Sequence, residues 1–164
     1  MAEITDNIFQ THAVEMKSPF DLDKLSDKFR HRNTGWSIPE AFLAILFSAA
    51  MVDGDFAVDE REAIVAISHR SRVLNSLPPN ELAAINDVVN ERLENRPDAL
   101  KEACETLPAD MCLPVFAHCV DIVLADGELL KSEADFLEEL MPLLDVERDH
   151  ARRVMEVLLL MNQY

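Results

Sequence analysis

Two short acidic turns carry the residues of this sequence that are best suited to chemistry. Asp53-Gly54-Asp55 and Asp126-Gly127-Glu128 each place two carboxylates on either side of a glycine. Carboxylates two residues apart on a turn can converge on a Ca²⁺ or Mg²⁺ ion, which prefers several oxygen ligands. The glycine lets the backbone reverse, so that carbonyl oxygens can join the ligands. The sequence therefore predicts that these turns bind Ca²⁺, Mg²⁺ or another divalent cation.

More acidic residues follow each turn, at the start of the next predicted helix. We take Asp59 and Ser132 as the N-caps of these helices, which places Glu62 and Asp135 at the N3 positions. The predicted metal ligands are the carboxylates of both turns and both helix starts: Asp53, Asp55, Glu60, Glu62, Asp126, Glu128, Glu133 and Asp135.

The turns do not match the EF-hand loop, which needs an acid at position 5, glycine at 6 and a bidentate glutamate at 12. Counted from Asp53 and Asp126, those positions hold other residue types: Ala57, Val58 and Ile64, and Leu130, Lys131 and Leu137. Any cation site would therefore be loose and weak. A purely structural reading stays open, because Asp-Gly at a helix end is ordinary helix-stop chemistry, and acids in a first helical turn favour the helix dipole.

The elements that must position these turns are helices. Only 3 Gly and 6% aromatic residues disfavour a β-sandwich or barrel. Residues 41–52 are apolar on nearly every face, which predicts a central helix, and Ser37 with Glu40 forms a capping box at its start. A second apolar helix is predicted over residues 111–125, with Asp110 as its cap. We expect an all-α fold of seven to eight helices.

Other helix boundaries are predicted from polar caps and prolines. Asn80 and Asp145 are predicted caps of later helices, alongside Asp59 and Ser132. Pro97 is predicted to open a short helix that runs through Leu107.

The chain contains an internal repeat in which residues of the same structural role correspond, although few of them are identical. Sliding it by the spacing between Asp53 and Asp126 superimposes cap on cap, apolar helix on apolar helix and acidic turn on acidic turn. We predict two pseudo-symmetric helix–acidic turn–helix units, residues 37–75 and 110–145, around two central apolar helices. Residues 21–164 then form one domain, and residues 1–20 an N-terminal arm or docked helix.

These motifs resemble a known family. Ala50-Met51-Val52-Asp53-Gly54-Asp55 with Glu60, and Leu124-Ala125-Asp126-Gly127-Glu128 with Glu133, are similar to the repeated signature of TerB-like domains. These all-helical domains occur in the tellurite-resistance protein TerB and in DjlA-type membrane co-chaperones. The resemblance covers roughly residues 37–162, and departs at Val52, where a small residue is usual. It implies a stress-response role, and metal binding by the acidic residues of the two motifs.

Charge and motif content limit the partners and activities that we expect. With 31 Asp and Glu against 15 Lys and Arg, a formal charge of −16, the chain is unsuited to nucleic acid and to anionic lipid. No Lys/Arg-led signal segment and no bilayer-length apolar run is visible, so we expect a cytoplasmic protein without direct membrane insertion. We expect the cysteines to be buried small hydrophobic residues. The five histidines are scattered along the chain and form no pair at helical spacing. No nucleophile–base pair can be assembled, so we expect no enzyme.

Two functions of different classes follow. The first is a non-enzymatic tellurite- or stress-response module that binds a divalent cation weakly through its acidic turns. The second is a protein-interaction adaptor without a metal, whose partner, a membrane-associated protein among the candidates, binds an acidic or apolar face. The sequence leaves the oligomeric state open.

Overall fold

A computed structural model describes residues 34–54 and 58–163 of the chain, without the side chains of residues 58–60. Every regular element among these residues is a helix, which confirms the predicted all-α class. The seven helices are α1 (Ile38–Ala50), α2 (Val58–Arg70), α3 (Pro79–Asn95), α4 (Ala99–Thr106), α5 (Ala109–Val123), α6 (Lys131–Leu143) and α7 (Arg148–Met161). The predicted boundary between residues 20 and 21 lies outside the described residues.

Helices α1 and α5 form the centre of the fold. Helix α1 contacts α3, α4 and α5, and α5 also contacts α2, α6 and α7. Where the two central helices cross, the thiol of Cys119 lies 3.9 Å from the carbonyl oxygen of Ile45, and both residues are fully buried. Each large apolar side chain buried here contributes about 1.5–3 kcal/mol of transfer free energy. The apolar runs of the sequence therefore become the core, as predicted.

The start of α1 has the predicted capping box. The Ser37 backbone N–H donates to the Glu40 carboxylate at 2.8 Å, and the Glu40 N–H donates to the Ser37 hydroxyl at 3.4 Å. Trp36, which precedes the cap, is buried, and the guanidinium of Arg92 lies 4.6 Å from its ring centroid. Arg92 also donates to the Gly35 carbonyl at 2.6 Å, which ties α3 to the start of α1.

Four other predicted caps are wrong by the same offset. Four residues are each the second residue of their helix: Asp59, Asn80, Asp110 and Ser132. The observed caps of α3, α5 and α6 are Pro78, Pro108 and Leu130. A polar side chain is favourable at this second position too, because the first backbone N–H groups of a helix have no intrahelical acceptor. Composition alone therefore could not separate the cap from the second helical residue.

Two further boundaries differ from the prediction. Asp145 ends α6 instead of capping α7, whose cap is Glu147. Asp145 has φ 53°, and the Val146 N–H donates to the Met141 carbonyl at 2.9 Å, which is the Schellman arrangement of a helix end. Helix α4 begins at Ala99, two residues after the predicted start at Pro97.

Each central helix leads into its acidic turn through a glycine with positive φ. Gly54 has φ 81° and Gly127 φ 85°, a backbone conformation that only glycine adopts without strain. Their N–H groups donate to Met51 and Leu124, three residues earlier, at 3.0 and 2.9 Å. The predicted glycine stops are confirmed, while the pseudo-twofold relation of the two units stays a prediction. Across the described part of the chain, no helix has the length and hydrophobicity needed to span a membrane.

Candidate functional site

The first acidic turn is held against the second half of the chain. Asp53 is exposed, and its carboxylate accepts a hydrogen bond from the hydroxyl of Ser132 on α6, 79 residues later. Ser132 lies in the first turn of α6, the helix that directly follows the second acidic turn. The bond therefore places the Asp53 carboxylate beside the helix start that the second turn leads into.

The second turn is organised by its own aspartate. The Asp126 carboxylate accepts the Glu128 backbone N–H at 3.0 Å, closing an Asx turn around Gly127. Asp126 and Glu128 are both exposed. One oxygen of Asp126 is thus engaged locally, and both side chains remain accessible to solvent and to a ligand.

Glu133 differs from the turn acids because it is buried, at 3% exposure. It is the N3 residue of α6, and its carboxylate accepts the Leu130 N–H at 2.8 Å. This is the side-chain half of a capping box, made without a polar residue at the cap itself. Glu133 therefore stabilises the helix start, a role that the sequence assigned through N3 to Asp135.

The two predicted ligands at the start of α6 are not brought to a common side of that helix. Asp135 is exposed, two residues beyond buried Glu133, and residues two apart on a helix point to nearly opposite sides. Glu62, the corresponding acid on α2, is exposed as well. The side chain of Glu60 and the whole of Asp55 lie outside the described residues. Among the side chains that are described, no three His, Cys, Asp or Glu residues lie close enough together to hold a metal ion.

The structure adds Ser132 to the candidate site, which the sequence analysis missed as a site residue. Its position in the repeat, opposite Asp59, suggested only a capping role. No pattern in the sequence indicates that a hydroxyl on α6 reaches a carboxylate so far away along the chain. The hydrogen bond is a tertiary contact, and it depends on how α6 lies beside the first turn.

The three cysteine thiols are shifted towards their neutral forms. Burial raises the pKa of the Cys104 thiol to about 12 and raises the pKa of Cys119 still further. Cys112 is partly exposed, and burial, with Asp145 and Asp110 nearby, raises the pKa of its thiol. Thiols held in this form are poor nucleophiles and poor metal ligands at neutral pH. Cys104 and Cys119 are the small buried hydrophobes that the sequence predicts, whereas Cys112 is only partly buried.

The imidazole of His118 is partly buried between the two central helices. Burial lowers its pKa most, nearby Asp121 opposes that effect, and Arg70 adds to the lowering. Its ring meets Phe42 edge to face, with centroids 5.9 Å apart. The neutral imidazole therefore acts as a packing group between the central helices.

The fold and the two turns define an all-helical domain with paired helix–acidic turn–helix motifs. The family described as Tellurite resistance protein TerB matches residues 39–156, well over half of the chain, so the chain belongs to the TerB family. The resemblance in the motifs around Asp53 and Asp126 is thereby confirmed. No curated protein and no solved structure matches the chain at a significant level.

Proposed function

We propose that this chain is a non-enzymatic module of the tellurite and stress response whose acidic turns bind a divalent cation weakly. Membership of the TerB family supports the proposed role in the tellurite and stress response. The observation that carries the cation is the hydrogen bond from Ser132 to Asp53, because it brings the first turn to the start of the helix that follows the second. The carboxylates of Asp53, Asp126 and Glu128 are all exposed there.

The donor set favours a hard cation. Carboxylate oxygens of Asp53, Asp126 and Glu128 suit Ca²⁺ or Mg²⁺ better than Zn²⁺, which prefers nitrogen and sulfur ligands. Asp55 of the first motif would add a further carboxylate, whereas buried Glu133 is committed to the Leu130 N–H. The exposure of the turn carboxylates to water is the reason to expect weak binding.

Calorimetry on the full chain tests the cation. We expect Ca²⁺ or Mg²⁺ to bind with a Kd of about 10⁻⁴ M, the range of exposed carboxylate sites. The double variant Asp53→Asn with Asp126→Asn should weaken binding about tenfold or more. The matched control Asp87→Asn, an exposed acid on α3, should leave it unchanged. Absence of any binding tighter than about millimolar contradicts the cation proposal.

Cell survival tests the biological role separately. Cells that lack the protein should lose tellurite tolerance, and the wild-type chain should restore it. If the double variant restores tolerance fully, the role does not depend on the acidic turns. If the wild-type chain restores nothing, the response itself is the wrong function.

A protein-interaction adaptor is the second candidate. It is favoured by the exposed end of α7, where four large apolar side chains are between 42% and 69% exposed: Val157, Leu159, Leu160 and Met161. Apolar side chains clustered on a surface are typical of interaction sites. A specific partner that is captured equally with and without chelator, and is lost in Leu160→Glu, supports the adaptor. The net charge of −16 makes nucleic acid a poor partner, and we propose a cytoplasmic location.

A further inference from the structure

Both acidic turns contain an aspartate followed directly by a glycine, Asp53-Gly54 and Asp126-Gly127. In such a pair the backbone nitrogen of the glycine can attack the side-chain carboxyl carbon of the aspartate, because no Cβ on the second residue obstructs the approach. Both residues of each pair are exposed. A Cβ added to either glycine would meet no heavy atom within 4 Å beyond its chain neighbours. The structure therefore leaves room for this reaction at both turns.

The reaction exchanges only water. A bond forms between the glycine nitrogen and the carboxyl carbon, and the amide proton and the hydroxyl of the protonated carboxyl leave as water, which gives a cyclic succinimide. Addition of water to the former side-chain carbonyl restores aspartate. Addition to the former main-chain carbonyl gives isoaspartate, in which the backbone passes through the side chain and the α-carboxylate is free. Nothing is oxidised or reduced, and the mass of the chain is unchanged.

The two turns hold their aspartates differently. The Asp126 carboxylate accepts the N–H of Glu128 at 3.0 Å, and the ring that this hydrogen bond closes contains the Gly127 nitrogen. The carboxyl carbon is thus folded back over the peptide bond whose nitrogen attacks it. The Asp53 carboxylate instead accepts the hydroxyl of Ser132 on α6, and must give up that bond before it can rotate towards its own glycine. The tertiary hydrogen bond therefore distinguishes the two sites.

The N–H groups of the two glycines are engaged in the same way. Gly54 donates to the Met51 carbonyl at 3.0 Å and Gly127 to the Leu124 carbonyl at 2.9 Å. Each bond lies at a helix end, where local opening costs little free energy. Opening of this bond slows the reaction at both turns alike, so it does not contribute to the difference between them.

We propose that Asp126-Gly127 is a site of spontaneous isoaspartate formation in the folded protein, and that the Ser132 hydroxyl protects Asp53-Gly54 from the same reaction. The change would add a methylene to the backbone of the second turn and shorten its acidic side chain. The exposed product would be accessible to a methyltransferase that esterifies isoaspartyl carboxylates, the class of enzyme that begins repair of this modification. The reaction requires no cation, so the proposal is independent of metal binding by the turns.

Ageing of the full chain in neutral buffer at physiological temperature tests the proposal. Isoaspartate is located by peptide mapping with electron-transfer fragmentation, and passage through the succinimide is followed by uptake of heavy oxygen from labelled water. We expect isoaspartate to accumulate at Asp126 about fivefold faster than at Asp53, the ratio that corresponds to one hydrogen bond. Ser132→Ala should raise the rate at Asp53 about fivefold and leave the rate at Asp126 unchanged.

The chain offers a matched variant and an internal control. Ser76→Ala removes another exposed hydroxyl, which donates to the Arg72 carbonyl at 3.4 Å, and it should change neither rate. Asp145 is exposed at a helix end with a positive φ, as the glycines of the turns are, but Val146 follows it. The valine side chain obstructs the attack, so far less isoaspartate should form there. In guanidinium chloride the two Asp-Gly pairs should react at nearly equal rates, because the protecting bond is lost.

Three results would overturn the proposal. The first is accumulation at Asp126 that is no faster than at Asp145. The second is a rate at Asp53 that Ser132→Ala leaves unchanged, or raises only together with the rate at Asp126. The third is a difference between the two turns that persists in guanidinium chloride, which would assign it to the neighbouring residues in the sequence and not to the fold.

Discussion

The hydroxyl of Ser132 donates a hydrogen bond to the carboxylate of Asp53, which lies 79 residues earlier in the chain. This bond links the turn between α1 and α2 to the first turn of α6. It also occupies one oxygen of the carboxylate that we expect to bind a cation. The two groups therefore couple the geometry of the first turn to the start of α6.

A double-mutant cycle measures that coupling. Ser132→Ala and Asp53→Ala should each lower the free energy of unfolding by about 1 kcal/mol, because a hydrogen bond to a carboxylate is lost at an exposed site. Together they should cost less than the sum of the two, since each removes the same bond. Urea unfolding supplies the values, and strictly additive effects would show that the bond contributes nothing in solution.

Glu133 should be the acidic residue that matters most for stability. Glu133→Ala leaves the Leu130 N–H at the helix start without its acceptor, and we expect a loss of about 1–3 kcal/mol. Glu133→Gln should cost less, because the amide oxygen can still accept the Leu130 N–H. Thermal and urea unfolding check both variants. The matched control is Asp135→Ala, two residues on at an exposed position; a loss as large as that of Glu133→Ala would contradict the assignment.

His118 should make the fold sensitive to mild acid. Its pKa in the folded state is lowered from 6.5 by burial, so the unfolded chain binds more protons at pH values just below 6.5. Stability therefore falls as the pH drops through 6.5 towards the folded-state pKa, and is recovered above it. Unfolding measured between pH 7.5 and 5.5, a range of about two units around the ordinary pKa of histidine, should show this loss. A steeper loss in His118→Gln than in the wild type would refute it.

Cys112 should be the first thiol to react with Ellman's reagent in the native protein. Cys104 and Cys119 are buried, and burial raises the pKa values of both thiols, whereas Cys112 is partly exposed. We expect one slow equivalent that becomes faster as the pH rises, because the pKa of Cys112 is also raised. Cys112→Ser should remove this equivalent. Release of the other two thiols should then require denaturant, and their rapid reaction under native conditions would contradict the buried core.

Sequence periodicity predicted the helices well and their starts poorly. Apolar runs such as residues 41–52 identify the centre of the fold, because a helix without a polar side must be enclosed. The starts of α2, α3, α5 and α6 were each predicted two residues too late, since Asp59, Asn80, Asp110 and Ser132 are equally favourable at the second helical position. Ser37 was assigned correctly because Glu40 completes a true reciprocal box.

The candidate site could be predicted only in part from the sequence. Glycine between acids identifies the turns, since both glycines need a positive φ. Burial of Glu133 and the reach of Ser132 to Asp53 depend on how distant helices lie together, and local spacing carries no signal for either.

The crossing of α1 and α5, where Cys119 meets Ile45, has a consequence for how the chain folds. The two residues are 74 positions apart, so α1 stays uncovered on one side until α5 has been synthesised and has found it. Contacts this distant along the chain slow folding compared with those of neighbouring helices. During translation the apolar surface of α1 is thus exposed for as long as α2, α3 and α4 are being made. We therefore expect the emerging chain to need protection by chaperones in that interval.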